Sequence, residues 1–363
     1  MSVRPFLAST RAALSTGLLA GVLLLGPAML VADPSAGAQT TPPAPSGLEI
    51  YFVDTEGGAA TLIVTPAGES VLIDSGNPGE RDAARIAEAA RLAGVTEISH
   101  YITTHWHSDH VGGIGTLAAA LPVRQVYGHQ VPDPLPGDVN ADLMAAWKAL
   151  SAQPHVLAAG NTIELKGKRG TPTPKIRVLA ADALVAGEKP GAPHTTTCAD
   201  GHEARPEDTS DNARSLALHL TYGTFDLFAG GDLTWNIEHK LVCPRRVAPK
   251  VDVFLVNHHG ADSSNHPALL AALRPEVAIV NNGPRKGGEP RTIAQLLKQV
   301  GDVGVFQLHR NVRPGAVNTE SARIANDQEA CKGVPLRLRV DPGGDRYIVY
   351  NPARDGERIY SSR

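Results

Sequence analysis

The chain has 363 residues and is nearly balanced in charge, with 34 Lys and Arg against 37 Asp and Glu for a formal −3. With no basic stripe, this composition excludes the electrostatic footprint of a general nucleic-acid binder. Cys198, Cys243 and Cys331 are an odd set that allows one bridge and one leftover thiol, and the sequence does not choose the pair.

Residues 1–38 read as a secretory signal peptide. Arg4 and Arg11 make a positive start, Leu14 to Val31 is apolar, and Ala36-Gly37-Ala38 is a small-residue cleavage site. Pro27 and the short apolar stretch argue against a spanning helix, so the mature protein is expected in the periplasm or outside the cell, off the membrane. Export would permit disulfides. Residues 39–47, rich in Pro, read as a flexible leader. About 325 residues remain, enough for one large α/β domain over 48–363.

Leu48–Val53 and Ala60–Thr65 are apolar, β-branched runs separated by Glu56-Gly57-Gly58, which predicts a hairpin. Val71–Ile73 predicts a third strand ending at Asp74. Glu80–Leu92 carries apolar residues at helical spacing and stops at Gly94. Ser99–Thr104 and Val123–Tyr127 read as strands, with helices over Ile114–Leu121 and Asn140–Leu150. Ile176–Leu179, Ser215–Tyr222 and Thr224–Ala229 follow as strands. Val251–Val256, Ala268–Leu273, Val277–Asn281, Thr292–Val300 and Val305–Leu308 then alternate strand and helix. Two polar stretches interrupt this pattern: an insertion over Ala181–Ser210, long enough to cover a substrate, and Arg310–Gly333.

The run His105-Trp106-His107-Ser108-Asp109-His110, followed by Val111-Gly112-Gly113, packs three imidazoles and a carboxylate into six residues. That is a metal-ligand spacing. On an extended chain leaving Ser99–Thr104, His105, His107 and Asp109 would share one side while His110 points elsewhere, so one loop could feed two ions. Imidazole with carboxylate suits zinc first, with manganese or iron as alternatives.

This motif resembles the signature of the metallo-β-lactamase superfamily, and three further segments resemble its motifs in order: Val71-Leu72-Ile73-Asp74-Ser75-Gly76, Leu227-Phe228-Ala229-Gly230-Gly231-Asp232, and Leu255-Val256-Asn257-His258-His259-Gly260. The resemblance implies an αββα sandwich and two divalent ions. His105 and His107 would hold the first, Asp109, His110 and His259 the second, with Asp232 bridging both. It also implies that Asp74 fixes the metal loop through backbone hydrogen bonds and that His258 is a supporting or substrate-contacting group. Many zinc members supply a third His to the first ion, but Ser210 to Leu216 contains none. This segment, with Ala229-Gly230-Gly231-Asp232 and His258-His259-Gly260, resembles the hydrolase domain of ComEC-type competence proteins and their stand-alone relatives. Asp211 or Asn212 would complete the first site, or the ion would keep an extra water.

The chemistry implied is hydrolysis by a metal-activated hydroxide. Asp232 would position the hydroxide, and Asp109 would orient ligands and accept its proton. Phosphodiester or related ester substrates come first by resemblance, with β-lactam or lactone hydrolysis and an inactive binding sandwich as the other readings. His194, Cys198 and His202 have a ligand-like spacing, but Gly, Pro and Thr around them argue against a helix, and export favours a disulfide for Cys198. His100, His129, His155, His219, His239, His266 and His309 read as ordinary core or surface histidines, and Trp106 and Trp147 as packing or pocket wall.

Overall fold

A computed structural model describes residues 44–189, 191, 198, 202–354 and 356–363. The signal-peptide expectation, most of the leader and His194 lie outside the described residues.

Alternation along the apolar strands decides the layers. In the strand Leu48–Phe52, Leu48, Ile50 and Phe52 face a second sheet, while Tyr51 turns to the opposite face. The first sheet runs, in spatial order, Gly356–Ser361, Arg346–Asn351, Leu336–Val340, Leu48–Phe52, Thr61–Val64, Ser70–Ile73, Ile98–Ile102, Val123–Gly128 and His155–Val156. The second runs Ile324–Asn326, Val305–His309, Val277–Val280, Val253–Leu255, Phe225–Ala229, Ala217–Tyr222, Lys175–Ala181 and Thr162–Glu164, with Leu184–Val185 paired to Lys175–Ala181. Between them lies a core drawn from both, including Ile63, Val71 and Ile102 against Val178, Leu218, Leu227 and Ile279. Each fully buried side chain of this kind contributes roughly 1.5–3 kcal/mol.

Helices cover both outer faces. Glu80–Leu92 lays Ala83, Ile86, Ala89 and Ala90 on the first sheet, joined by Leu117 of Ile114–Ala120 and Trp147 of Ala141–Ala149. Asn140 caps the last of these by accepting from the N–H groups of Asp142 and Leu143. Trp235–Lys240, Pro267–Leu273 and Pro290–Val300 cover the second sheet through Ile237, Leu270 and Leu296. Two sheets with helices outside both make the expected αββα sandwich.

The helix Trp235–Lys240 and the short strands His155–Val156 and Thr162–Glu164 are not read from the sequence, and three further differences bear on the site and its surroundings. Asp109 lies in the short helix Ser108–Val111, so the chain is not extended through it and the predicted alternation ends at His107. The polar stretch 310–333 carries an edge strand, Ile324–Asn326, and three more strands follow it to finish the first sheet. The start of the expected insertion is sheet, since Leu184–Val185 pairs with Lys175–Ala181. Its described far end is pinned to Trp235–Lys240: the Arg205 N–H donates to Asn236 Oδ1 at 3.0 Å, and the Arg205 guanidinium lies 3.7 Å from the Trp235 ring centroid.

Ser70–Ile73, Ile98–Ile102 and Val123–Gly128 are parallel neighbours, as are Phe225–Ala229, Val253–Leu255, Val277–Val280 and Val305–His309. Asp74, the His105–His110 loop, Asp232 and His258-His259 all follow the carboxyl ends of these strands. That edge is where open α/β sheets gather ligand-binding groups.

Candidate metal centre

His105, His107, Asp109, His110, Asp232, His258 and His259 converge, although Asp232 and His259 come from the other sheet. His105 Nε2 faces His107 Nδ1 at 3.1 Å, and His110 Nε2 faces His259 Nε2 at 3.2 Å. Asp232 lies between the pairs, its oxygens 3.2 Å from His110 Nε2, 3.3 Å from His259 Nε2 and 4.0 Å from His105 Nε2. Asp109 Oδ2 is 3.1 Å from His259 Nε2 and 3.5 Å from His110 Nε2. One donor atom each from Asp109, His110, Asp232 and His259 falls within 4.8 Å of the others.

These groups fit divalent metal. Imidazole nitrogens set nose to nose repel unless a proton or cation lies between them. The outward nitrogens are supported as in metal sites. His107 Nε2–H donates to Asp138 Oδ2 at 2.8 Å, and His110 Nδ1–H donates to Asp74 Oδ2 at 2.8 Å. Asp232 Oδ1, buried, makes no well-aligned hydrogen bond among the described residues although His110 is near. Burial opposes charge on His110, but the carboxylates of Asp232, Asp74 and Asp109 outweigh it and hold its pKa well above the ordinary value. Burial likewise raises Asp232, yet His110, His259 and His258 pull it well below the carboxylate range. Burial holds His105 well below normal, with His110 adding to the effect. The centre is thus a buried anionic cup that calls for positive charge.

Asp74 organises the cup from behind. Its Oδ1 accepts from the Thr104 N–H and its Oδ2 from the Thr104 hydroxyl, both at 2.7 Å, as well as from His110. Gly113 allows the loop to close on Ser75, because a Cβ there would come within 2.1 Å of the Ser75 carbonyl oxygen. Gly231 has φ +55, and a Cβ would meet Thr104 at 2.8 Å.

The other expected support residues lie further back. Asp211 Oδ2 accepts from the Trp106 N–H at 2.6 Å and faces His129 Nε2 at 3.2 Å, so this carboxylate holds the loop between its first two histidines. Asn212 sits beside it in the one-turn helix Asp211–Arg214. His258 Nε2 is 3.5 Å from Asp232 Oδ2, with its Nδ1 3.1 Å from the hydroxyls of Ser263 and Ser264. His258 and His259 both adopt left-handed backbone, φ 52 each, at about 1–3 kcal/mol per residue. A buried brace holds them there: Glu238 accepts from Asn257 Nδ2 at 2.6 Å, and Asn265 Nδ2 donates to the Asn257 carbonyl at 3.0 Å.

Several contributors have no signature in the sequence. Asp138 comes from the connection before Ala141–Ala149, and Lys286, which ion-pairs with Asp109, comes from the loop after Val277–Val280. His129, expected to be ordinary, is buried between Asp211 and Asp182, its Nδ1 3.1 Å from Asp182 Oδ1. His239 and His266 form a ring cluster with His202, whose ring stacks on His239 at 3.6 Å and whose Nδ1 lies 2.9 Å from His266 Nε2. Cys198 bridges Cys243 and Cys331 keeps its thiol, which settles the pairing left open by the sequence. No helix among the described residues is long and apolar enough to cross a membrane.

Among known proteins, atrochrysone carboxyl ACP thioesterase dmxR1 of Cryptosporiopsis sp. is 36% identical over 74 residues, covering 20% of this chain and 23% of that protein. Recombination protein 2 of Haemophilus influenzae is 23% identical over 240 residues, 65% of this chain and 24% of its own length. The chain thus spans about a quarter of the length of these relatives. The crystal structure of CmlA, a diiron β-hydroxylase from Streptomyces venezuelae, aligns with a TM-score of 0.43 at 13% identity, over 72% of this chain and 52% of that one. A family model described as the metallo-beta-lactamase superfamily matches residues 53–204, which include the Asp74 segment and the His105–His110 loop. The match gives residues 53–204 as a metallo-β-lactamase superfamily domain, and the two-sheet sandwich agrees with that fold.

Proposed function

We propose that the protein is an exported metal-dependent hydrolase acting on phosphodiester or related ester substrates. The observation that carries this reading is the convergence of His105, His107, Asp109, His110, Asp232 and His259, with two of the imidazoles tied outward to Asp138 and Asp74. His105 and His107 would hold one ion, Asp109, His110 and His259 a second, and Asp232 would lie between. Zinc suits the donor set, with manganese or iron as alternatives. A divalent ion bound there lowers the pKa of water toward neutrality and polarises the substrate oxygen.

The chain's own groups do the remaining work. Asp232 orients the attacking oxygen from the floor of the cup, where it is buried. Asp109, at the rim and paired with Lys286, would orient the ligands and accept a proton once Lys286 leaves it. The Lys286 side chain is half exposed and can leave Asp109 for an anionic substrate oxygen. That cation favours a phosphoester over a neutral ester. The order of substrates otherwise rests on the resemblance to ComEC-type hydrolase domains, with which the Recombination protein 2 match over 65% of the chain agrees. A thioester is the second reading, favoured by the higher identity to dmxR1.

The test combines elemental analysis of the mature protein with turnover of bis-p-nitrophenyl phosphate, an acyl thioester and nitrocefin, beside His105→Ala and Asp232→Ala. About two ions per chain and phosphodiester cleavage lost in both variants are expected. Thioester or nitrocefin turnover alone would replace the substrate assignment. Folded protein with neither metal nor turnover would leave the inactive binding sandwich.

A further inference from the structure

We propose that Asp54, His309 and Cys331 form a separate cation site of zinc type that braces the rim of the catalytic cup. Asp54 follows Leu48–Phe52, His309 ends Val305–His309, and Cys331 lies in the connection before Leu336–Val340. One donor atom from each lies within 4.8 Å of the others, and Asp54 and His309 are fully buried. His309 Nδ1–H donates to the Arg310 carbonyl at 2.8 Å, which leaves the lone pair on Nε2. That Nε2 is buried and has no hydrogen-bond partner among the described residues. Sulfur, imidazole nitrogen and carboxylate oxygen together suit zinc, with water as a fourth ligand.

The neighbouring charges permit a cation. Arg85 is the local competitor, with Nη2 3.4 Å from Cys331 Sγ and Nη1 3.7 Å from Asp54 Oδ2. Its own charge is met by Glu56, whose Oε1 is 2.8 Å away, and its Nη1 donates to the Asp54 carbonyl at 2.9 Å. Arg85 can therefore remain as an outer donor to a bound sulfur. Asp54 Oδ1 accepts from the Glu56 N–H at 2.9 Å, and Oδ2 accepts from the Cys331 thiol at 3.3 Å. Cation binding releases that thiol proton to solvent, and thiolate plus carboxylate then balance two positive charges. A Cys nucleophile is the weaker reading: burial and Asp54 push the thiol up to about 11, and it donates to Asp54 rather than facing a base.

The site ties three distant segments together beside the catalytic loop. The Ala59 N–H donates to the Asp109 carbonyl at 3.0 Å, and a Cβ on Gly57 would meet Lys286 Cβ at 2.8 Å. The 54–59 loop that Asp54 anchors thus touches both rim groups of the cup.

A cobalt titration of the chelator-stripped mature chain tests this, because thiolate bound to cobalt gives a near-ultraviolet charge-transfer band. The catalytic donors include no cysteine, and Cys198 and Cys243 are bridged, so the band can arise only at Cys331. It should saturate at one ion per chain and vanish in Cys331→Ser and in His309→Ala. Each variant should bind one cobalt fewer than the parent and keep the visible bands of the His and Asp centre. In the unaltered protein, bound cobalt should slow alkylation of Cys331 roughly tenfold, a readout that needs no variant to fold. A folded parent with no thiolate band and no protection at saturating cobalt would overturn the proposal.

Discussion

Around His110, the donors of Asp109, Asp232 and His259 all lie within 4.8 Å of one another, three of the four residues fully buried. Around His105 and His107 there are two imidazoles and an Asp232 oxygen at 4.0 Å, and His107 reaches the partly exposed Asp138. The first half is closed by protein groups on both sheets. The second has fewer protein donors, and its His107, partly exposed, leans on a surface carboxylate. On the proposed two-ion reading, the difference implies unequal metal affinity, with a tight site at His110 and a looser one at His105.

The largest expected break is His110→Ala. It removes a donor and leaves Asp74, Asp109 and Asp232 facing one another, so the tight ion and roughly two or more orders of magnitude of kcat should go, beyond what loss of an outer partner costs. Retention of two ions by elemental analysis would show that the closed half is not the anchor. Asp138→Asn should sharpen the contrast. It weakens support for His107 and leaves the Asp211 N–H, from which Asp138 also accepts, with a poorer partner, so chelator competition should find the looser ion bound about 10-fold more weakly and the tight one unchanged.

The brace under the closed half predicts a pH dependence. Burial pushes Glu238 up to about 7 from the ordinary 4.5, against the donors Asn257, Asn265 and His266. The folded protein then holds this proton more tightly than the unfolded chain. This contribution is complete below about 4.5 and lost as pH rises toward about 7, on the order of 3 kcal/mol in all. Glu238→Gln should flatten that fall in a series of Tm measurements; an unchanged slope would exclude Glu238 as its source. The smallest effect belongs to Lys286→Ala. An exposed ion pair contributes about 0–1 kcal/mol, so Tm should barely move while KM for an anionic ester rises and KM for a neutral one does not.

What the sequence carried follows the same division. The candidate donors of the His105–His110 loop lie within six residues, and Asp74, Asp232 and His259 each follow an apolar strand, so local pattern singled out the groups that the fold brings together. Asp138 stands 31 residues from His107 in an irregular connection, and Lys286 stands 177 from Asp109; neither has a local pattern to mark it. The C-terminal strands are a different case. Leu336-Arg337-Leu338-Arg339-Val340 has the alternation of a half-buried strand, but a polar stretch before it hides its link to the first sheet. Asp54, His309 and Cys331 illustrate the limit, since three lone residues converge only through the tertiary fold.

The strand Leu48–Phe52 sits between its hairpin partner Thr61–Val64 and the late strand Leu336–Val340, with Leu48 opposite Val340 and Phe52 opposite Leu336. Its Glu49 meets Arg339 across 290 residues of chain. The first sheet therefore stays unfinished until the strands over 336–361 are available, and closing so long a loop slows the search for the native state. Until then the strand keeps an unpaired edge that another chain could capture. Synthesis and folding are thereby separated in time, so the first sheet is completed only after the C-terminal strands have been made.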